Sequence, residues 1–146
     1  MLAGSIYYYF PSKEDLFVAV HAEGVRRISE AVDTAVAAAG EPWRRLEAGM
    51  AAHLEALLEG GDFAQVVIRD MPAGVPRAPL VALRDGYEDK FRGLVDALPL
   101  PDGTDRGTLR LMLLGALNWT RTWYSPAGDA PARIAEKFIG YLRAAL

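Results

Sequence analysis

Apolar residues along this chain recur at intervals of three and four, the spacing of one helical face, and no segment alternates in the two-residue rhythm of a strand bounded by hairpin signals. Ser12 can cap a long helix, with Asp15 three places on as a capping-box partner and Glu14 adding negative charge to the first turn. Its apolar positions are Leu16, Val20, Ile28, Val32 and Val36, and Gly40 with Pro42 ends it. Pro42 suits the first turn of a second helix, in which Trp43, Leu46, Met50, His53 or Leu54, and Leu57 hold the interval until Gly60-Gly61. Asp62 caps a short helix expected over Phe63 to Met71, and the three prolines of Pro72 to Pro79 predict a loop.

Leu80, Leu83, Tyr87, Phe91, Leu94 and Leu98 predict the next helix, closed by "PLPDG". The stretch from Leu109 to Trp123 is apolar almost all round, which a helix tolerates only when more than one face is covered. After the turn "SPAGDAP", a final helix carries the stripe Ile134, Phe138, Tyr141 or Leu142, and Ala145. The fold class expected is all-α, with about seven helices and no internal repeat.

Composition narrows the function classes. A chain of 146 residues, 51% apolar and 24% charged, can bury the core of one domain. The absence of cysteine excludes a disulfide framework, a thiol nucleophile and a thiolate zinc site, and it suits a cytoplasmic setting. No basic leader precedes an apolar core at the start, and the most apolar run, Leu111 to Trp119, is far short of the ~20 residues that span a bilayer, so neither secretion nor membrane insertion is expected. The net charge of −3 leaves room for a local basic face, although Lys13, Arg26 and Arg27 in residues 1–30 are balanced by Glu14, Asp15, Glu23 and Glu30.

Catalytic and metal chemistry find little support. Two histidines and no Glu-x-x-His repeat argue against a bundle oxidase, and neither His21-x-Glu23 nor His53-x-Glu55 places both side chains on one helical face. No enzyme activity, cofactor or metal is expected.

The opening "GSIYYYFPSKEDL" carries more information. On a helix Ile6 and Phe10 share a face while Tyr7, Tyr8 and Tyr9 spread toward the others, and Gly4 and Ser5 permit close approach to another surface. This many-position pattern resembles the end of the DNA-binding domain of TetR-family transcriptional regulators, a helix-turn-helix unit whose short recognition helix leads into a long connecting helix. The resemblance implies that Ile6 and Phe10 anchor that helix, that Gly4, Ser5, Tyr7, Tyr8 and Tyr9 face DNA, and that Lys13 contacts phosphate. Phenol hydroxyls and a lysine at a helix N-terminus suit phosphate oxygens. Tyr9 stands where the family more often has histidine, keeping a donor.

The family places two helices and a turn before this point. Residues 1–39 are therefore expected to be the remnant of a DNA-binding domain and residues 40–146 the effector-binding and dimerisation domain. This polypeptide is expected to bind operator DNA poorly by itself, with Met1 read as an internal methionine of a longer product. The alternative is a dimeric effector-binding or scaffold protein that does not touch DNA.

The resemblance extends to the second domain, where central helices enclose an effector and the last two helices form a homodimer. "GALNWTRTWYSPAGDAPARIAEKF" is similar to the corresponding segment of TetR-type regulators that respond to acyl-CoA thioesters, which points to a hydrophobic small-molecule effector of that class and to a repressor. Pocket candidates are Met50, His53, Leu54 and Leu57 on the second helix, and Phe63, Val67 and Met71 on the short one. Tyr87 and Phe91 follow, then Met112, Leu113 and Trp119. For each alone, plain core packing is the commoner role; together they are aromatic and Met-rich, which suits an adaptable apolar cavity. His53 beside leucines is more often a satisfied core residue than a ligand contact, though it can hydrogen-bond a carbonyl.

Overall fold

A computed structural model describes residues 9–59 and 73–146. Among these residues the chain forms five helices: α1 (Lys13–Ala38), α2 (Pro42–Glu59), α3 (Arg77–Asp96), α4 (Arg106–Trp123) and α5 (Pro131–Ala145). The recognition helix and the short helix expected over Phe63 to Met71 lie outside the described residues, apart from Tyr9 and Phe10.

Local chemistry sets the helix ends. The Ser12 hydroxyl accepts from the Asp15 amide at 3.0 Å and donates to Asp15 Oδ2 at 2.7 Å, so α1 starts with the cap its sequence announces. Asp105 caps α4 in the same way, accepting from the Thr108 amide at 3.0 Å. Pro131 takes the first position of α5, where its missing N–H costs nothing. Helix α3 begins earlier than expected, at Arg77, and so includes Pro79. Within a first turn a proline removes only an amide that has no intrahelical partner anyway, so it does not oppose the helix there. Gly103, at φ 82°, supplies the left-handed residue that turns the chain between α3 and α4.

Helix α2 is the centre of the packing. Its face Trp43, Leu46, Met50 and Leu54 meets Phe91, Leu94 and Val95 of α3, Leu109, Leu113 and Leu117 of α4, and Ile134, Ala135 and Ile139 of α5 in one core. Its other side receives Ile28 and Val32 of α1 around Ala52. Gly49 makes this approach possible: a Cβ there would stand 3.1 Å from Leu94 Cδ1 and 3.2 Å from Val36 Cγ2.

The final helix keeps Ile134 and Leu142 of its expected stripe and replaces the rest. Ile134, Ala135, Ile139 and Leu142 are the buried residues, whereas Tyr141 is 72% exposed and Phe138 only half-buried. Arg143 lays its guanidinium over the Trp43 ring at 5.6 Å, a cation–π contact that fastens α5 to the start of α2.

Polar ties fix α3 against its neighbours. Arg106, at the start of α4, donates to the carbonyl oxygens of Val95 at 2.6 Å and Leu98 at 3.1 Å, closing the C-terminal end of α3. Arg110 bonds Glu88 at 2.7 Å, and Lys90 bonds Asp33 of α1 at 2.7 Å. None of the described helices is long and apolar enough to cross a membrane.

Candidate functional site

The helical interval in α2 puts Met50, His53, Leu54 and Leu57 on one buried face, and the interval in α3 brings Tyr87 and Phe91 opposite. His53 Nδ1 lies 2.6 Å from the Tyr87 hydroxyl. The Phe91 ring stands edge-on to the imidazole at 5.9 Å and 89°, and its centroid is 5.7 Å from that of Tyr87. Leu113 of α4 is buried in the same core.

His53 is only 4% exposed, and its Nε2 has no hydrogen-bond partner among the described residues. Burial lowers the imidazole pKa to about 4, and the Asn118 side chain of α4 offsets part of that shift without reaching hydrogen-bond geometry. Burial likewise drives the Tyr87 phenol upward, with the negative charge of Asp33 adding to the effect. At neutral pH both groups are therefore uncharged, and the polar pair sits among aliphatic and aromatic side chains with Asn118 of α4 beside it.

Two of the residues expected in a pocket wall are placed elsewhere. Met112 is 55% exposed and Trp119 65% exposed, on the outer side of α4. The core takes Leu109, Leu113, Leu114, Leu117 and Thr120 from that helix, and Thr120 satisfies its hydroxyl by donating to the Ala116 carbonyl. The outward side presents Leu111, Met112, Trp119 and Trp123, with Tyr141 of α5 also exposed. A helix apolar on both sides thus covers the core with one side and leaves the other open.

A surface cavity of about 290 Å³ lies between α1, α2 and α3, with Val32, Val36 and Leu94 among its apolar lining and Asp33, Arg45 and Lys90 as charged groups. None of the expected pocket residues lines it, and no local sequence signal marks it, because its residues come from three separate helices. Of the residues assigned to DNA, Tyr9 is 68% exposed and Lys13 is exposed at the first position of α1. Gly4, Ser5, Tyr7 and Tyr8 lie outside the described residues, as do Phe63, Val67 and Met71. No cluster of metal-ligating side chains occurs among the described residues.

The described residues form an all-helical domain with a central buried helix, a long leading helix and a two-sided apolar α4. A family model described as the tetracyclin repressor-like C-terminal domain matches residues 39–146, and the chain belongs to the TetR family of transcriptional regulators. No curated protein matches the sequence. Among solved structures, the superantigen PfiT shares 27% identity at a TM-score of 0.78, over 95% of this chain and 77% of its own. AibR in complex with isovaleryl coenzyme A and operator DNA shares 22% at 0.77, over 97% of this chain and 80% of its own. FadR from Bacillus subtilis in complex with stearoyl-CoA shares 19% at 0.77, over 97% and 81%. At the identities of the last two, the likeness is one of fold.

Proposed function

We infer that the chain is the sensing part of a ligand-responsive repressor, a homodimer formed through α4 and α5 whose effector is a hydrophobic small molecule of the acyl-CoA class. The observation that carries this is the two-sided helix α4. Leu111, Met112, Trp119 and Trp123 form an open apolar surface on a helix whose other side is core, and such a surface is stable in water when a second copy covers it.

The effector is assigned to the packed region where α2, α3 and α4 meet, around Met50, His53, Leu54, Leu57, Tyr87, Phe91 and Leu113, with Phe63, Val67 and Met71 as further contributors. Two proteins of the same fold, AibR and FadR, were crystallised with acyl-CoA thioesters, which favours that ligand class. Residues 1–39 are assigned to the DNA-binding side, with Gly4, Ser5, Tyr7, Tyr8, Tyr9 and Lys13 as the contacts, and residues 40–146 to effector binding and dimerisation. A ligand relieves repression only through its unequal affinity for two states of the dimer.

Helix α1 suits the transmission. It is 26 residues long, about 39 Å, and its ion pair to α3 lies near its C-terminal end. The test is thermal unfolding of the purified chain with stearoyl-CoA and isovaleryl-CoA: saturable stabilisation by either thioester, with none by free coenzyme A, supports the assignment. Equal melting in every sample rejects it.

A further inference from the structure

We propose that His53 Nε2 is the hydrogen-bond donor that recognises a neutral carbonyl oxygen of the effector, and that Tyr87 is the positioning residue that makes it a donor. This rests on the assignment of the effector to the region where α2, α3 and α4 meet.

The Tyr87 hydroxyl lies 2.6 Å from His53 Nδ1, and in the proposed arrangement the phenol gives its one proton to that nitrogen. A neutral imidazole has one N–H. With Nδ1 accepting from the phenol, that hydrogen belongs to Nε2. The ring is locked between Tyr87 and the edge-on Phe91, so Nε2 keeps its direction. It is buried and without a hydrogen-bond partner among the described residues, although Asn118 stands near.

A buried donor left unmade is costly, and the cost is removed when an acceptor arrives. The chemistry of the surroundings selects which acceptor. Met50 and Leu54 on the α2 face that carries His53, and Phe91 on α3, are fully buried and apolar, and Arg110 of α4 is already bonded to Glu88. A carboxylate would therefore enter without a counter-charge, whereas the carbonyl of a thioester, ester or ketone on an apolar chain needs only the single N–H. The low imidazole pKa keeps the ring neutral and the arrangement intact at physiological pH.

The experiment compares stearoyl-CoA with its thioether analogue S-octadecyl-CoA, which keeps the chain and the nucleotide and lacks the carbonyl oxygen. Affinities are measured on the 146-residue chain, on His53→Phe and on Tyr87→Phe. The wild type is expected to prefer the thioester by at least about ten-fold, His53→Phe to bind the two equally, and Tyr87→Phe to keep only part of the preference. Equal binding of both compounds by the wild type overturns the proposal and leaves the effector assignment standing. Failure of both to bind removes the assignment itself and the proposal with it.

Imidazole ¹⁵N spectra of the wild type keep the question open to refutation if a variant does not fold. The proposal requires the Nε2–H tautomer and a resonance that moves with the thioester but not the thioether. An Nδ1–H tautomer contradicts it.

Discussion

Lys90 Nζ lies 2.8 and 2.7 Å from the two carboxylate oxygens of Asp33, joining α3 to α1 three residues after Tyr87 meets His53. One turn of α3 therefore touches the buried polar pair on one side and the long leading helix on another. Asp33 is largely exposed, so this pair adds no more than about 1 kcal/mol to stability. Its expected role is coupling. Lys90→Met should leave acyl-CoA affinity within about two-fold of wild type and cut the ligand-induced displacement of α1, read by hydrogen exchange over residues 13–30. An unchanged exchange response in the variant removes the ion pair from the path.

The outer side of α4 predicts the oligomeric state. Trp119 is 65% exposed and touches no core, so Trp119→Glu should fold with unaltered helicity while placing a charge in the dimer surface. Light scattering should report a dimer for the wild type and a monomer for Trp119→Glu. A dimeric variant would move the interface elsewhere.

The close approach at Gly49 predicts a packing defect. A valine there brings a branched side chain against Leu94 and Val36, which are already within 3.2 Å of an added Cβ. Chemical denaturation should show a loss of about 1 to 3 kcal/mol. A neutral result would mean that α1 and α3 can retreat at no cost.

His53 predicts an acid-sensitive step. Its folded-state pKa of about 4 lies below the ordinary 6.5, so the unfolded chain binds the proton first. The stability gained from keeping the ring neutral is full above pH 6.5 and falls as the pH drops toward 4, by about 3 kcal/mol in all. Glu23, held at about 2 by Arg26 and Arg27, loses its contribution only below pH 4.5, so between pH 6.5 and 4.5 the fall belongs to His53 alone of the two. The double variant His53→Leu/Tyr87→Phe should flatten the urea midpoint between pH 6.5 and 4.5; a slope equal to wild type would refute the assignment.

Where hydrophobic spacing met clear polar flanks, the sequence was readable. The α2 face Trp43, Leu46, Met50, Leu54 and Leu57 is buried as its interval implies, and Ser12 caps α1. In α5 the spacing was right and the phase only partly so: of the expected Ile134, Phe138, Tyr141 or Leu142, and Ala145, the core takes Ile134 and Leu142, with Ile139 in place of Phe138, and only the partners choose. Helix α4 posed the same difficulty, because with apolar residues on both sides no polar face distinguishes Met112 and Trp119 from Leu113 and Leu117. The pairing of His53 with Tyr87, 34 residues apart on different helices, is a tertiary fact with no local signal.

The central claim is that a hydrophobic effector moves α1 within a dimer built on α4 and α5. The chain has no cysteine, so Lys13→Cys accepts a single spin label per subunit at the start of α1. Dipolar spectroscopy should give one inter-subunit distance that changes by a few ångström on saturation with stearoyl-CoA. Absence of any inter-subunit coupling, or a distance that stays put while the ligand is bound, would contradict it.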